Sequence, residues 1–94
     1  MKISGIIWLD VVIEKIESKH RVTQLEVEEV LSGKVRLKKM QKGKFRGEHV
    51  YRALGQTFSG RYLTVFFIHK KMGEALILSA RDMDEWEHKS YAKE

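Results

Sequence analysis

Three apolar, β-rich runs separated by two glycine-containing turns dominate the second half of the chain and constrain its fold most strongly. The runs cover 50–58, 61–68 and 76–83, and the turns fall at Ser59-Gly60 and Lys71-Met72-Gly73. Runs of this composition, bounded by turn residues, are typical of antiparallel strands joined by hairpins. The pattern therefore predicts an antiparallel meander that leads into a C-terminal helix.

The first half of the chain predicts one short strand and two helices. The apolar run 3–9 is too short for a membrane span and indicates a strand at the edge of the sheet or second from it, with Asp10 able to cap the helix that follows. Apolar residues at helical spacing predict that helix over 11–19. Thr23 and Glu26 have the spacing of a capping box, which predicts the start of a second helix.

A change to alternating hydrophobicity at Lys34 predicts a further strand from that point. Later in the chain, Asp82 and Glu85 have the spacing of a capping box and predict the start of the last helix. The 94 residues contain no proline, linker or repeat and suit one domain, which we assign to 1–94. The predicted fold is α+β in the order β-α-α-β-β-β-β-α, with an antiparallel sheet, two N-terminal helices and a C-terminal helix.

The charge of the chain favours a polyanionic partner. Its formal net charge is +5, with a pI of about 9.6. The segment 34–46 holds seven basic residues and no acidic one, a composition suited to phosphate contacts. The RNA-binding candidates of this segment are Lys38, Lys39, Lys42, Lys44 and Arg46. The alternative interpretation is a solvated, charged strand and loop.

The residue types of the chain exclude several kinds of site. Without cysteine there is no disulfide, thiolate nucleophile or cysteine-type zinc site, and a reducing compartment, by default the cytoplasm, fits this composition. Four histidines lie without metal-ligand spacing, so we expect no metal and no cofactor. His20 follows Lys19 at the predicted end of the first helix, where its imidazole could transfer protons. The alternative is a helix-end histidine with only a structural role.

Two arginines lie where a purely structural sheet more often carries Val or Thr. Arg52 falls inside a predicted strand, and Arg81 falls at the end of another. If Ser59-Gly60 is a two-residue loop and 71–73 a three-residue loop, strand counting places both arginines on one face of the sheet. They would then form an anion clamp, whereas a one-residue change in either loop would send them to opposite faces. The alternative for Arg81 is an ion pair with Asp84 or Glu85 at the entry to the last helix. The alternative for Arg52 is a cross-strand ion pair.

The predicted central strand is apolar on both faces. Phe66, Phe67 and Ile68 are consecutive, although a strand with one solvated face should alternate. The predicted helices can cover one face. A partner protein or the C-terminal helix would have to cover the other.

Several short motifs occur together along the chain. They are Trp8 with Asp10, the pair Lys19-His20, Val22-Thr23 before an acidic helix, Gly60-Arg61-Tyr62-Leu63 before an apolar strand, and Ser79-Ala80-Arg81 before a helix with Glu87 and Tyr91. This combination resembles the BrnT family of bacterial toxins, which are small RelE-like ribonucleases of type II toxin–antitoxin systems. The resemblance spans nearly the whole chain and implies a RelE-like fold.

The resemblance implies a metal-independent endoribonuclease. In such a reaction a basic side chain helps the 2′-hydroxyl attack the adjacent phosphate, cations stabilise the charged phosphorane, and an acid protonates the leaving oxygen. The catalytic residues that the resemblance implies are Lys19, His20, Glu48, Arg52 and Arg81. The two arginines would bind the phosphate, His20 or Glu48 would transfer protons, and Lys19 could serve in either role.

The resemblance also implies partners. They are an RNA substrate and a small cytoplasmic antitoxin of the ribbon-helix-helix kind, with no membrane. Such an antitoxin could cover the second apolar face and join copies of the chain into a homo-oligomer. Arg21 stands where the family usually has Gly after Lys-His, which favours a catalytically inactive member as one alternative. A plain RNA-binding module, with its affinity in 34–46, is the other.

Overall fold

The computed structural model describes residues 1–41 and 48–93, with the backbone alone for Gln41. It confirms the predicted α+β class and the predicted order of elements. The elements are β1 (Gly5–Ile7), α1 (Asp10–His20), α2 (Gln24–Ser32), β2 (Arg36–Gln41), β3 (His49–Gln56), β4 (Tyr62–His69), β5 (Glu74–Asp82) and α3 (Glu85–Ala92). None of the described helices has the length and apolar character that a membrane crossing needs.

The five strands form one mixed sheet in the order β1-β5-β4-β3-β2. Strands β2 to β5 pair as antiparallel neighbours and form the predicted meander. Strand β1 lies at one edge, which is one of its two predicted positions, but it pairs with β5 in parallel, with Ile7 opposite Leu76. The turns that join β2 to β5 leave a local signal in the sequence, whereas β1 has no turn that links it to its partner.

Helices α1 and α2 pack on one face of the sheet and form the hydrophobic core with it. Ile16 and Val30 from the helices, and Val65 and Phe67 from β4, are fully buried in this core. A methyl group added at Gly55 in β3 would lie 2.8 Å from Cγ1 of Val30. The backbone of β3 therefore lies against α2 at a distance that only glycine allows without a shift.

The first two helices begin close to their predicted starts. At α2, Thr23 is the N-cap and forms the predicted capping box with Glu26. At α1, Leu9 is the N-cap and makes no side-chain capping hydrogen bond, so the prediction that Asp10 caps this helix is wrong. Asp10 lies instead in the first turn, where a negative charge suits the helix dipole.

The N-cap of helix α3 lies two residues later than predicted. Asp84 is the N-cap and forms a capping box with Glu87, so the prediction of a capping box from Asp82 and Glu85 is wrong. The reason is that β5 continues to Asp82, whose carboxylate Oδ1 accepts a hydrogen bond from Nε of Arg61 at 2.8 Å. Because Asp82 still belongs to the strand, it cannot be the N-cap of α3.

The loop between β3 and β4 has three residues rather than the predicted two. The backbone N–H of Thr57 donates to the carbonyl of Arg61 at 2.8 Å, and that of Gly60 donates to the carbonyl of Thr57 at 3.0 Å. Gly60 has φ +100°, the left-handed conformation of a three-residue hairpin. The register of β3 against β4 is therefore one residue away from the predicted register.

A bulge in β5 introduces a second shift of one residue. Phe66 pairs with Ser79 and Phe67 pairs with Ile77, so Leu78 has no partner in β4. The ammonium group of Lys15 in α1 donates a hydrogen bond to the carbonyl of Leu78 at 2.8 Å. The loop between β4 and β5 has the predicted three residues, with Gly73 at φ +96°.

The two shifts cancel and determine where the arginines lie. Arg52 is opposite Phe66, and Phe66 is opposite Ser79, two residues before Arg81. Residues opposite each other, or two apart on one strand, share a face of the sheet. Arg52 and Arg81 therefore share a face, as predicted, although one loop length on which the prediction depended is wrong.

Candidate nucleic-acid interface

Four basic residues lie on the sheet face that α1 and α2 leave open. They are Arg36 and Lys38 in β2, Arg52 in β3 and Arg81 in β5. Lys38 is directly opposite Arg52 in the antiparallel pair, and Arg36 lies two residues away on the same strand. Like charges in opposite positions destabilise a sheet, so this arrangement favours a role in binding an anion.

Helix α3 crosses this face and places Glu87 against the arginine pair, which we define as Arg52 and Arg81. Glu87 is only 4% exposed. Arg81 donates two hydrogen bonds to its carboxylate, at 2.8 Å and 3.0 Å, and Nη1 of Arg52 lies 3.9 Å from Oε2. The structure thus brings both arginines to one carboxylate, which is Glu87 rather than a residue of the predicted cap.

The surroundings of Glu87 keep it ionised. Burial opposes ionisation and raises its pKa, but hydrogen bonds from Arg81, the backbone N–H of Asp84 and the hydroxyl of Thr64 outweigh burial and lower the pKa to about 2. The hydrogen bond with Glu87 in turn raises the pKa of Arg81. At neutral pH Glu87 is therefore a carboxylate with its acceptors in use, and it cannot serve as a general acid.

An open cavity of about 430 Å³ lies between α3 and the β2–β3 part of the sheet. We call it the α3 cleft. Its lining consists of Arg36, Lys38, Arg52, Trp86, Glu87, Lys89, Ser90 and Lys93. Five of these residues are basic, and the single acidic one is the carboxylate that Arg81 already binds. The volume lies within the range of about 300–1,000 Å³ that is usual for ligand sites.

The donors of the α3 cleft differ in whether a ligand can reach them. The guanidinium of Arg36 donates to the carbonyl of Ser90 and so joins β2 to α3. Nε of Arg52 is buried and has no hydrogen-bond partner among the described residues. The ammonium groups of Lys38 and Lys93 belong to exposed residues. A buried donor without an acceptor is unfavourable, so Nε of Arg52 does not itself favour the fold. The side chain of Arg52 is 20% exposed and lines the α3 cleft, so a ligand there can contact this residue.

Trp86 is the aromatic residue of the α3 cleft, and 80% of its surface is exposed. The sequence prediction missed it, together with Lys89, Ser90 and Lys93. A signal was present, because these four residues follow the spacing i, i+3, i+4, i+7, which places them on one face of a helix. Because Trp86 lies between two acidic residues, this part of the sequence does not stand out as a basic segment.

Lys19 and His20 lie at the end of α1, on the other side of the sheet from the arginine pair. Arg61 binds the backbone carbonyls of His20 at 3.0 Å and Arg21 at 2.6 Å. The side chain of Lys19 is exposed. The structure does not bring these two residues to the α3 cleft, and their catalytic roles stay predictions.

Glu48 lies just before β3 and forms an ion pair with Lys70. Its Oε1 accepts a hydrogen bond from Nζ of Lys70 at 3.0 Å, which lowers the pKa of Glu48. At about 3.3 Å per residue, the four positions between Glu48 and Arg52 span about 13 Å along the chain. Glu48 is thus an ionised carboxylate away from the α3 cleft, able to accept a proton but not to donate one. Its catalytic role stays a prediction.

The predicted RNA-binding residues divide into three groups. Lys38 lines the α3 cleft. Lys39 is exposed but pairs with Tyr51, which packs against the core, so it faces the opposite side of the sheet. The other three predictions, Lys42, Lys44 and Arg46, lie outside the described residues.

The apolar central strand is covered unequally on its two faces. Phe67 is fully buried beneath α1 and α2. Phe66 and Ile68, on the α3 side, are half-buried. The guanidinium of Arg81 lies 5.4 Å from the centre of the Phe66 ring, a cation–π contact. Helix α3 therefore covers this second face only in part.

Within 1–41 and 48–93, no group of three or more His, Asp or Glu side chains is arranged to hold a metal ion. The cations and the indole of the α3 cleft are suited to an anionic ligand with a flat, unsaturated group. No family model matches the sequence, and the comparison with curated proteins found no match.

Proposed function

We propose that this protein is a metal-independent endoribonuclease toxin of a type II toxin–antitoxin system, and that RNA binds in the α3 cleft. The observation that carries the proposal is the set of basic residues on adjacent strands, Lys38 opposite Arg52, beside the exposed Trp86. Cations neutralise phosphates and release counterions, and an open indole can stack on a base. The BrnT-like motifs support the toxin assignment.

The α3 cleft can supply much of what RNA cleavage requires. When the 2′-hydroxyl attacks phosphorus, its proton passes to water and the bond from phosphorus to the 5′-oxygen breaks. Negative charge increases on the phosphate oxygens, and Arg52 and Lys38 can stabilise that charge from neighbouring strands. The leaving 5′-oxygen needs a proton, which an ammonium group such as that of Lys38 or Lys93 can donate. Arg81 has a positioning role in this scheme, because its bonds to Glu87 hold α3 beside the sheet.

A second candidate function is RNA binding without cleavage. It is favoured by the position of the proton-transfer candidates, since His20 and Glu48 lie outside the α3 cleft. Glu87, the carboxylate inside the cleft, is already fully engaged. Cations with an aromatic ring suffice for binding, whereas cleavage also needs a group that accepts the proton of the 2′-hydroxyl.

The half-buried Phe66 and Ile68 support a protein partner for the α3 side of the sheet. Together with the BrnT-like motifs, they lead us to propose a small antitoxin of the ribbon-helix-helix kind that binds this side in the cytoplasm. Such an antitoxin could join copies of the chain into a homo-oligomer.

The test of the toxin function is expression in bacteria with and without the adjacent gene, together with an assay of the purified protein. We expect growth arrest that the adjacent gene relieves, and cleavage of single-stranded RNA in the presence of a metal chelator. Binding without cleavage or arrest would establish the second candidate instead. A protein that neither binds nor cleaves RNA would contradict both.

The ion pair between Arg81 and Glu87 makes Arg52 the better residue for a test of the site. Arg81→Ala would leave the buried Glu87 without its main partner and would destabilise the fold, so loss of activity would have no clear meaning. Arg52→Lys keeps the charge and removes the planar fork that binds phosphate. We expect Arg52→Lys to lower cleavage at least tenfold while the thermal unfolding midpoint changes little. Unchanged cleavage would remove Arg52 from the site.

A further inference from the structure

We propose that the α3 cleft is specific for single-stranded RNA, with an unpaired base stacked on Trp86 and an adjacent phosphate bound by Arg52 and Lys38. This inference rests on the RNA-binding function proposed above. It adds the structural class of the RNA and the residue that selects it.

The exposure of Trp86 favours stacking with a base. Its indole is 80% exposed, although a large aromatic surface is costly to leave in water. Elsewhere on α3 the aromatic side chains are packed, since Tyr62 from β4 lies 4.9 Å from the ring of His88 and 6.0 Å from that of Tyr91. In the described part of the chain, no aromatic ring stacks on Trp86. Its face is therefore open to a planar ligand.

Polar groups around the indole are placed to bind the backbone of a nucleotide. Lys89 and Ser90 lie about one helical turn from Trp86, which is about 5.4 Å along the axis. All three line the α3 cleft, opposite Lys38 and Arg52 of the sheet. If a base stacks on the indole, the sugar-phosphate backbone of its nucleotide would thus have hydrogen-bond donors on both walls of the cleft.

The α3 cleft suits a single strand rather than a duplex. In a duplex each base is stacked between its neighbours and offers only its edges, so an indole cannot reach its face. A cavity of about 430 Å³ suits a nucleotide-sized group rather than a double helix. Single strands, in contrast, leave bases open for stacking on aromatic side chains. The geometry therefore favours unpaired RNA.

The two tryptophans of the chain allow a direct optical test. Trp8→Phe leaves Trp86 as the single fluorophore of this type, and Trp86→Phe leaves Trp8, which is half-buried and donates to Oε2 of Glu28 at 3.2 Å. The ligand is a single-stranded 2′-O-methyl oligoribonucleotide, which lacks the attacking hydroxyl and so reports binding without cleavage. We expect it to quench Trp86 fluorescence and to leave Trp8 fluorescence unchanged.

Affinity measurements provide the second readout. Base–aromatic stacking contributes enough that Trp86→Ala should weaken binding about tenfold, while Trp86→Phe should retain most of the affinity. The matched control is Phe58→Ala, at an aromatic residue that is 79% exposed in the β3–β4 loop. We expect Phe58→Ala to bind with the affinity of the wild type. We also expect the affinity of Trp86→Ala to depend on salt concentration as that of the wild type does.

The outcomes separate this inference from the proposed function. If Trp86→Ala binds like the wild type while Lys38→Gln binds more weakly, RNA binding in the cleft stands and the stacking role is overturned. If a duplex of the same sequence quenches Trp86 and binds as well as the single strand, specificity for unpaired RNA is overturned. If no RNA binds the wild type, both proposals fail.

Discussion

Glu87 links α3 to three strands, each of which contributes one side chain that contacts it. It accepts hydrogen bonds from Thr64 in β4 and Arg81 in β5, and it pairs with Arg52 in β3 at 3.9 Å. Because these partners converge on one buried carboxylate, the position of α3, and with it one wall of the α3 cleft, depends on this residue.

Replacement of this carboxylate should destabilise the fold. We expect Glu87→Gln to lower the free energy of unfolding by about 2–3 kcal/mol, because two guanidinium groups lose their counter-ion while their surroundings stay partly desolvated. Urea denaturation measures the change. Glu85→Gln is the matched control, since Glu85 is 87% exposed and its pair with Lys89 spans 3.8 Å; it should change stability by less than about 0.5 kcal/mol. Equal effects would contradict the role of Glu87.

The same carboxylate should make stability depend on pH. Its pKa falls from 4.5 to about 2 in the folded chain, so its ionisation stabilises the fold above pH 4.5, and this contribution is lost as the pH falls toward 2. The contribution is at most about 3 kcal/mol. We expect the stability difference between wild type and Glu87→Gln to shrink between pH 7 and pH 3. Parallel stability curves over that range would show that Glu87 does not contribute.

Arg21 holds a backbone conformation that favours glycine. With φ 53° and ψ 41°, it ends α1, and it is the single non-glycine residue of positive φ in the described ranges. We expect Arg21→Gly to stabilise the protein by about 0.5–1 kcal/mol, because relief of the left-handed strain exceeds the entropy that glycine adds to the unfolded chain. Lys19→Gly, inside the same helix, should instead cost about 1 kcal/mol. Thermal unfolding distinguishes the two, and destabilisation by Arg21→Gly would refute the assignment of strain.

At the scale of elements, the sequence predicted what local signals encode. The apolar runs and their glycine turns predicted the meander, and Thr23 with Glu26 predicted the start of α2. The partner of β1 and the bulge at Leu78 depend on contacts between distant parts of the chain, which leave no local pattern. The same is true of the candidate site: the sequence predicted Lys38 and the face shared by the arginine pair, but it did not predict the contact of both arginines with Glu87.

The close packing of α2 on β3 leaves no room for a side chain at Gly55. We expect Gly55→Ala to destabilise the protein by about 1–3 kcal/mol, because its methyl group would lie 2.8 Å from Cγ1 of Val30 in a filled core. Gly5→Ala in β1 is the control. There the new methyl would meet Cγ of Glu74 at 3.9 Å, an ordinary contact, and stability should stay within about 0.5 kcal/mol of the wild type. Similar losses in both variants would contradict the close approach.

At the scale of the whole molecule, the two faces of the sheet differ in what they carry. One face carries the core with α1 and α2, and the other carries the cations, Glu87 and the α3 cleft. The net charge of +5 predicted a polyanionic partner but not its location. That location depends on strand register, which sends Lys38 to one face and its neighbour Lys39 to the other.

This neighbouring pair provides the most direct test of the account. The measurement is the affinity of a single-stranded 2′-O-methyl oligoribonucleotide over a range of salt concentrations, for wild type, Lys38→Gln and Lys39→Gln. We predict that Lys38→Gln weakens binding and reduces the slope of log affinity against log salt by about 0.7, the value for one phosphate contact of a single strand, while Lys39→Gln preserves the slope. Equal slopes in the two variants would contradict the claim that RNA binds in the α3 cleft.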